Sequence, residues 1–225
     1  MKKDISVILL AGGIGSRMGA PLPKQFLSLK GKPLARYSFD LFTSLEEIGE
    51  IAVVCAPEFR HLFTLPQNCT LTLTFALPGE RRQDSVLNGL KSLQSSSTYV
   101  LVHDGARPFI DKPLVQRALS GARLHGASAA AVPVKMTIKQ ANLEAMVTAT
   151  PDRSALFEMQ TPQVLKRTLL EEGFMHAQKH ALTVTDDVSL VEPLGHPVFL
   201  SEGSYKNLKI TTQEDWSLAE LIAKA

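Results

Sequence analysis

Ile5-Ser-Val-Ile-Leu-Leu10 runs without a break into Ala11-Gly-Gly-Ile-Gly-Ser-Arg-Met-Gly19. The first six residues are an almost unbroken apolar run of strand length, the pattern of a strand buried on both faces of a parallel sheet. The glycines after it let the backbone turn sharply, approach a ligand and aim N–H groups at phosphate oxygens. In an open α/β sheet such a turn lies at the carboxyl ends of the strands, where ligands bind. Two better-known phosphate loops do not fit. A dinucleotide fingerprint needs G-x-G-x-x-G, but Gly13-x-Gly15 is followed by Met18, and Gly19 comes one residue late. A P-loop string, G-x-x-x-x-G-K-[ST], does not occur. Cations do follow: Arg17 within the turn and Lys24 after Pro21-Leu-Pro23. They suit a polyphosphate whose charge builds during reaction; two solvated charges on a glycine turn are the plainer alternative.

The same pattern recurs along the chain. Residues 51–55 and 99–102 read as further buried strands, and residues 71–75, with their threonines, as an extended segment. Val86, Leu87, Leu90 and Leu93 fall on one helical face after a capping Asp84 or Ser85. Leu114, Val115, Ala118, Leu119 and Ala122 form another, opened by Pro113 in a first-turn position. A closing helix starts near Thr211 and carries Trp216, Leu218, Ala219 and Ile222. Alternating strands and helices imply an α/β fold, with a largely parallel sheet covered on both faces. After strand-like residues 127–134, residues 135–150 are rich in Thr, Lys and Asn and read as a protruding hairpin, placed to cover a site or grip a second subunit. The expectation is one domain over residues 1–225, with a β-arm at 135–152.

A second strand end is informative: Tyr99-Val-Leu-Val-His-Asp-Gly-Ala-Arg-Pro108. Its strand delivers Asp104 to the carboxyl edge, the edge of the glycine turn if the two strands are parallel. A carboxylate there can hold Mg²⁺ against a polyphosphate, and Arg107 is available for a second phosphate. The alternative is a turn aspartate capping backbone amides, with Arg107 as its ion-pair partner. His103 reads as a structural hydrogen-bonding residue more than a catalytic one. Gly79-Glu-Arg-Arg-Gln-Asp-Ser85 opens a helix, whose N-terminus favours anions. Residues 207–211 read as a short strand, on which Lys209 would point to water.

Composition narrows the classes of partner. The chain has 225 residues, 44% of them hydrophobic, with 24 Lys+Arg against 22 Asp+Glu. A net charge of +2 makes no case for nucleic acid or an anionic membrane as partner. Cys55 and Cys69 lack a paired-thiol motif and read as packing residues. Lys2 and Lys3 ahead of a short apolar run resemble a secretion signal only superficially, because a glycine turn follows at once. Cytoplasm is the expected compartment.

Taken together, these strings resemble the 2-C-methyl-D-erythritol 4-phosphate cytidylyltransferase family of the non-mevalonate isoprenoid pathway. The matching blocks are residues 10–20 with Pro23-Lys-Gln-Phe26, Gly79-Glu-Arg-Arg-Gln-Asp-Ser-Val86, and Val102-His-Asp-Gly-Ala-Arg-Pro108. Pro151-Asp-Arg-Ser-Ala-Leu-Phe-Glu-Met-Gln-Thr-Pro-Gln-Val164, Thr185-Asp-Asp-Val-Ser-Leu-Val-Glu192 and Asn207-Leu-Lys-Ile-Thr-Thr-Gln-Glu-Asp215 follow in family order. The resemblance implies a Rossmann-like nucleotide-diphospho-sugar transferase fold, with a mixed, mostly parallel sheet and a β-arm that interlocks a homodimer. It also implies CTP and a polyol phosphate as substrates, and Mg²⁺ as cofactor. Arg17 and Lys24 would stabilise charge at the α-phosphate, while Arg153 and Lys209 would position the polyol phosphate. Ala11, Gly12, Gly13, Gly15, Ser16, Glu80, Ser85 and Gly105 would bind the nucleotide. Arg107, Thr137, Thr161 and Thr185 would line the polyol pocket, and Asp104 would face the metal. Thr137 and Arg153 flank the arm, so a partner's arm can complete the site. Two alternatives stand beside this: a sister cytidylyltransferase acting on ribitol 5-phosphate, and a non-catalytic nucleotide-binding regulator.

Overall fold

The computed structural model describes residues 3–13 and 22–224. The apolar run forms β1 (Ile5–Leu10). A small hairpin, β2 (Ser28–Leu29) and β3 (Lys32–Pro33), leads into α1 (Leu34–Thr43), β4 (Ile48–Val54), β5 (Thr72–Ala76) and α2 (Arg82–Ser92). Next come β6 (Tyr99–Asp104), α3 (Lys112–His125), β7 (Ala127–Pro133) and the arm strands β8 (Gln140–Ala141) and β9 (Val147–Ala149). The chain continues through β10 (Phe157–Lys166), α4 (Arg167–Lys179), β11 (Phe199–Glu202) and α5 (Gln213–Ile222).

Seven of these strands form one sheet in the order β11-β7-β10-β6-β1-β4-β5. All neighbouring pairs are parallel except those of β10, which runs against both β6 and β7. β1 and β6 pair with Leu10 opposite Asp104, so the glycine turn and the Asp104 turn leave the same edge side by side. Alternation along β1 divides the core. Ile5, Val7 and Leu9 pack with Phe39 and Phe42 of α1 and Leu114 and Val115 of α3. Ile8 faces the other way, toward Val86 and Leu90 of α2 and Leu170 and Phe174 of α4. Both faces are therefore covered, as the continuous apolar strands require.

Two local expectations are corrected and two strands are added. The N-cap of α2 is Arg81; Asp84 is the third helical residue and accepts from the Arg81 backbone at 3.1 Å and its guanidinium at 2.9 and 2.8 Å. The first turn is thus tied back by its own carboxylate, and no N-cap side chain accepts a helix N–H. Residues 207–211 are not a strand: the segment is irregular, tied to the β6 turn by Ile210 N–H donating to Ala106 O at 2.9 Å. β10 and β11, which lacked a clear alternating pattern, were not anticipated as strands.

The arm leaves the sheet between β7 and β10, whose antiparallel pairing returns the chain to the edge it left. Residues 135–150 include a small β8–β9 hairpin, and Met136, Leu143, Met146 and Val147 stand exposed on it. Among the described residues no helix is long and apolar enough to cross a membrane.

Candidate active site

A cavity of about 400 Å³ opens at the shared edge of β1 and β6. Its floor is Leu10, Gly12 and Gly13 from the glycine turn and Asp104 and Ala106 from the end of β6. Gly79, Glu80, Arg81, Arg82 and Ser85 from the start of α2 form one wall, and Lys24, Gln25, Lys209 and Thr211 close it. Among the described residues, four cationic side chains face two carboxylates here, so the site is built for an anion larger than either carboxylate can balance.

The glycine turn is braced from behind. Ala11 donates its N–H to Val54 O at 2.8 Å, and Gln25 Nε2 donates to Ala11 O and Gly13 O, each at 2.8 Å. Gln25 is buried and was not anticipated; its side chain substitutes for the regular pairing that a turn lacks. A Cβ at Gly12 would lie 2.4 Å from Pro78 Cγ, so only glycine lets the turn pack against the chain entering α2. Gly105 donates to Leu10 O at 2.8 Å, and a Cβ there would meet that oxygen at 3.0 Å. Ser85 Oγ accepts the Gly79 N–H at 3.0 Å, closing the loop that carries Glu80. Gly15, Ser16 and Arg17 lie outside the described residues.

Asp104 is the electrostatic centre. Lys209 Nζ stands 2.8 Å from Oδ2, Arg82 Nε 3.3 Å from Oδ1 and Arg107 Nε 3.8 Å from Oδ2. Burial alone would raise its pKa, but Arg82, Lys209 and Arg107 together hold the carboxyl well below the ordinary range. Lys209 therefore points into the site and not, as its segment suggested, to water. His103 is fully buried, and burial pulls its pKa down to about 4. It is neutral and structural: Nε2 meets Arg107 O at 3.1 Å and Nδ1 meets Thr161 Oγ1 at 3.1 Å.

Arg107 and Thr161 lie beside the cavity, outside its lining. Arg107 is nearly buried and donates to Asn207 O at 2.8 Å and Met159 O at 3.4 Å. Thr161 Oγ1 accepts the Asp104 N–H at 3.1 Å. Both stand behind the carboxylate and hold it, and neither lines the cavity. Thr137, Arg153 and Thr185 are exposed and do not line it within one chain. Arg153 Nη1 donates instead to Lys135 O at 3.0 Å, at the arm's root.

Sequence patterns also passed over Arg82, Asp187 and Gln163. Arg82 donates to both oxygens of Asp187 at 2.8 Å, across 105 residues of chain. Gln163 Oε1 accepts from Asp187 N–H at 2.8 Å and Val188 N–H at 3.1 Å. The two adjacent acids after Thr185 were the available signal, but their partner was not.

As for a metal, no cluster of three or more His, Cys, Asp or Glu occurs among the described residues. Mg²⁺ in phosphate chemistry typically takes one or two protein carboxylates, completing its shell with phosphate and water. Asp104, ionised and at the cavity, fits that donor set.

The family model for 2-C-methyl-D-erythritol 4-phosphate cytidylyltransferase (IspD) matches residues 5–225. The chain belongs to this family. The enzyme of that name from Oryza sativa subsp. japonica, described as chloroplastic, is 48% identical over 97% of this chain and 74% of its own. The Chlamydia pneumoniae enzyme is 41% identical over 96% of this chain and 98% of its own. Among solved structures, 4-diphosphocytidyl-2C-methyl-D-erythritol synthase from Anaerococcus prevotii superposes with a TM-score of 0.86 at 28% identity, covering 98% of each chain. The cytidylyltransferase of Thermus thermophilus superposes with a TM-score of 0.78 at 33% identity over the whole of both.

Proposed function

We propose that this enzyme transfers CMP from CTP to 2-C-methyl-D-erythritol 4-phosphate, releasing pyrophosphate and forming the 4-diphosphocytidyl product for isoprenoid synthesis. The observation that carries the reading is the cation-lined cavity where the glycine turn, Lys24, Asp104 and Lys209 meet. The substrate's phosphate is ionised at neutral pH, so its oxygen needs no general base. It attacks the α-phosphorus of CTP, a new P–O bond forms, and the bond to the pyrophosphate oxygen breaks. The barrier is repulsion between two anions, which fixed cations lower without reorganising. Lys24 and Arg17 serve the α-phosphate, and Lys209, preset by Asp104, meets the incoming phosphate. Asp104 would hold Mg²⁺ beside the triphosphate, where the ion draws charge from the phosphate oxygens.

The polyol side is completed across a homodimer. Thr137 sits on, and Arg153 at the root of, an arm that carries exposed apolar side chains and leaves its own cavity behind. Such a surface favours a second copy. Small water-soluble substrates suit a cytoplasmic enzyme.

The experiment is pyrophosphate release with Mg²⁺ and CTP, offering methylerythritol 4-phosphate or ribitol 5-phosphate. Turnover on the first alone is expected. Turnover on the second alone would move the enzyme to the sister activity, and CTP binding without turnover on either would leave a regulator.

A further inference from the structure

Arg82 has one guanidinium and two carboxylates. Its fork, Nη1 and Nη2, is engaged by the two oxygens of Asp187 at 2.8 Å each, leaving only Nε for Asp104 Oδ1 at 3.3 Å. Asp187 is buried, and its backbone N–H is fixed by Gln163 Oε1. The adjoining Gln83 holds the same loop: its Oε1 accepts the Val184 N–H at 2.9 Å and its Nε2 donates to Leu182 O at 3.2 Å. The start of α2, which walls the nucleotide cavity, is thereby joined to the loop bearing Thr185. A paired fork is the stronger and more directional mode for arginine and carboxylate. Freed from Asp187, the fork would turn to Asp104, the other carboxylate already in contact with it, and compete with Lys209 for its oxygens.

We infer that Asp187 is a positioning residue of the nucleotide site, acting through Arg82 to keep that guanidinium on the cavity wall and its Nη fork off Asp104. This rests on the cytidylyltransferase reading and adds to it a residue that touches neither substrate. The test is calorimetric titration of CTP with Mg²⁺ and no polyol phosphate, so that nothing turns over, on unaltered protein, Asp187→Asn, Arg82→Gln and the double variant. Asp187→Asn keeps the side chain's shape but replaces one acceptor with a donor that repels the fork. CTP affinity should fall about tenfold or more in each single variant. The double variant should bind no more weakly than Arg82→Gln alone, because Asp187 has nothing left to act through. A residue serving the fold independently of Arg82 would instead add its loss to that of Arg82. Additive losses, or unaltered affinity in Asp187→Asn, would overturn the inference. If Asp187→Asn does not fold, Arg82→Lys takes its place: it keeps the charge and loses the fork, and wild-type CTP affinity in it is equally fatal. Absence of turnover by the unaltered enzyme, with CTP binding intact, would sink the functional reading while leaving the cycle to decide on Asp187.

Discussion

At the scale of single residues, His103 shows how an interior hydrogen bond becomes a pH dependence. Arg107 O can only accept, so Nε2 carries the proton and donates to it; Nδ1 then accepts from the Thr161 hydroxyl. Burial lowers the ring's pKa from 6.5 to about 4. Between those values the unfolded chain binds a proton that the folded chain refuses, so stability rises with pH across the window and is lost on acidification. The loss from this residue should be on the order of 3 kcal/mol over the full window. Urea unfolding at stepped pH will test it: His103→Asn should be less stable at pH 7 yet lose less on acidification. An equally steep loss in the variant would locate the acid sensitivity elsewhere. Lys24 is a different kind of residue, at the cavity and not under it. Lys24→Ala should cut turnover roughly a hundredfold or more while leaving the protein folded, and unchanged turnover would remove it from the chemistry. Lys24 and Asp104 were legible because each sits in a short string with a local reason, whereas Lys209 read locally would point to water and only the family resemblance brought it to the site. Arg82 and Asp187 were not legible, since a pair spanning 105 residues leaves no local pattern.

At the scale of elements, the sheet was legible wherever strands are buried on both faces, because β1, β4 and β6 are almost wholly apolar. The reversal of β10 was not legible: Phe157–Lys166 mixes polar and apolar residues without a strand pattern, and its direction is decided by where the arm returns the chain. The cap of α2 was not legible because a small polar side chain is the usual signal, whereas here Asp84 in the first turn accepts the Arg81 N–H and the N-cap side chain, a guanidinium, can only donate. The seat of α2 on the sheet depends on Gly89, where a Cβ would lie 2.6 Å from Ile8 Cγ2 and 3.0 Å from Val54 Cγ2. Two opposed terms decide Gly89→Ala. Helix propensity favours alanine by about 1 kcal/mol, while forcing a methyl between packed branched side chains costs about 1–3 kcal/mol. The variant should be destabilised by about 1 kcal/mol, lowering the melting temperature by a few degrees. It should also weaken CTP binding, since α2 carries Arg82 and Ser85 to the cavity. A raised melting temperature with unchanged CTP affinity would mean the layers yield easily and the helix is not pinned there.

At the scale of the whole molecule, the arm is the part whose physics one chain leaves incomplete. Its root is anchored: Lys135 Nζ lies 3.4 Å from the centre of the Tyr205 ring, and Tyr205 donates to Pro133 O at 2.7 Å. Beyond the root, Leu143 is fully exposed and Met136 is 75% exposed. An apolar tip on an anchored root is stable in water only at a cost that a second chain would remove. On the proposed homodimer the cavity has the complementary shortage, because Thr137 and Arg153 do not reach it within their own chain. Replacing residues 137–150 by a short Gly-Ser turn separates these roles from the nucleotide site. Light scattering should then report a monomer, and CTP should bind as before, because the glycine turn, Asp104 and the start of α2 are untouched. Turnover should fall by roughly a hundredfold or more, as expected when a positioned group is removed from an anionic transition state, with the polyol phosphate no longer saturating. A shortened chain that remains a dimer with full turnover would place the interface elsewhere on the molecule and make the polyol site a matter for one chain alone.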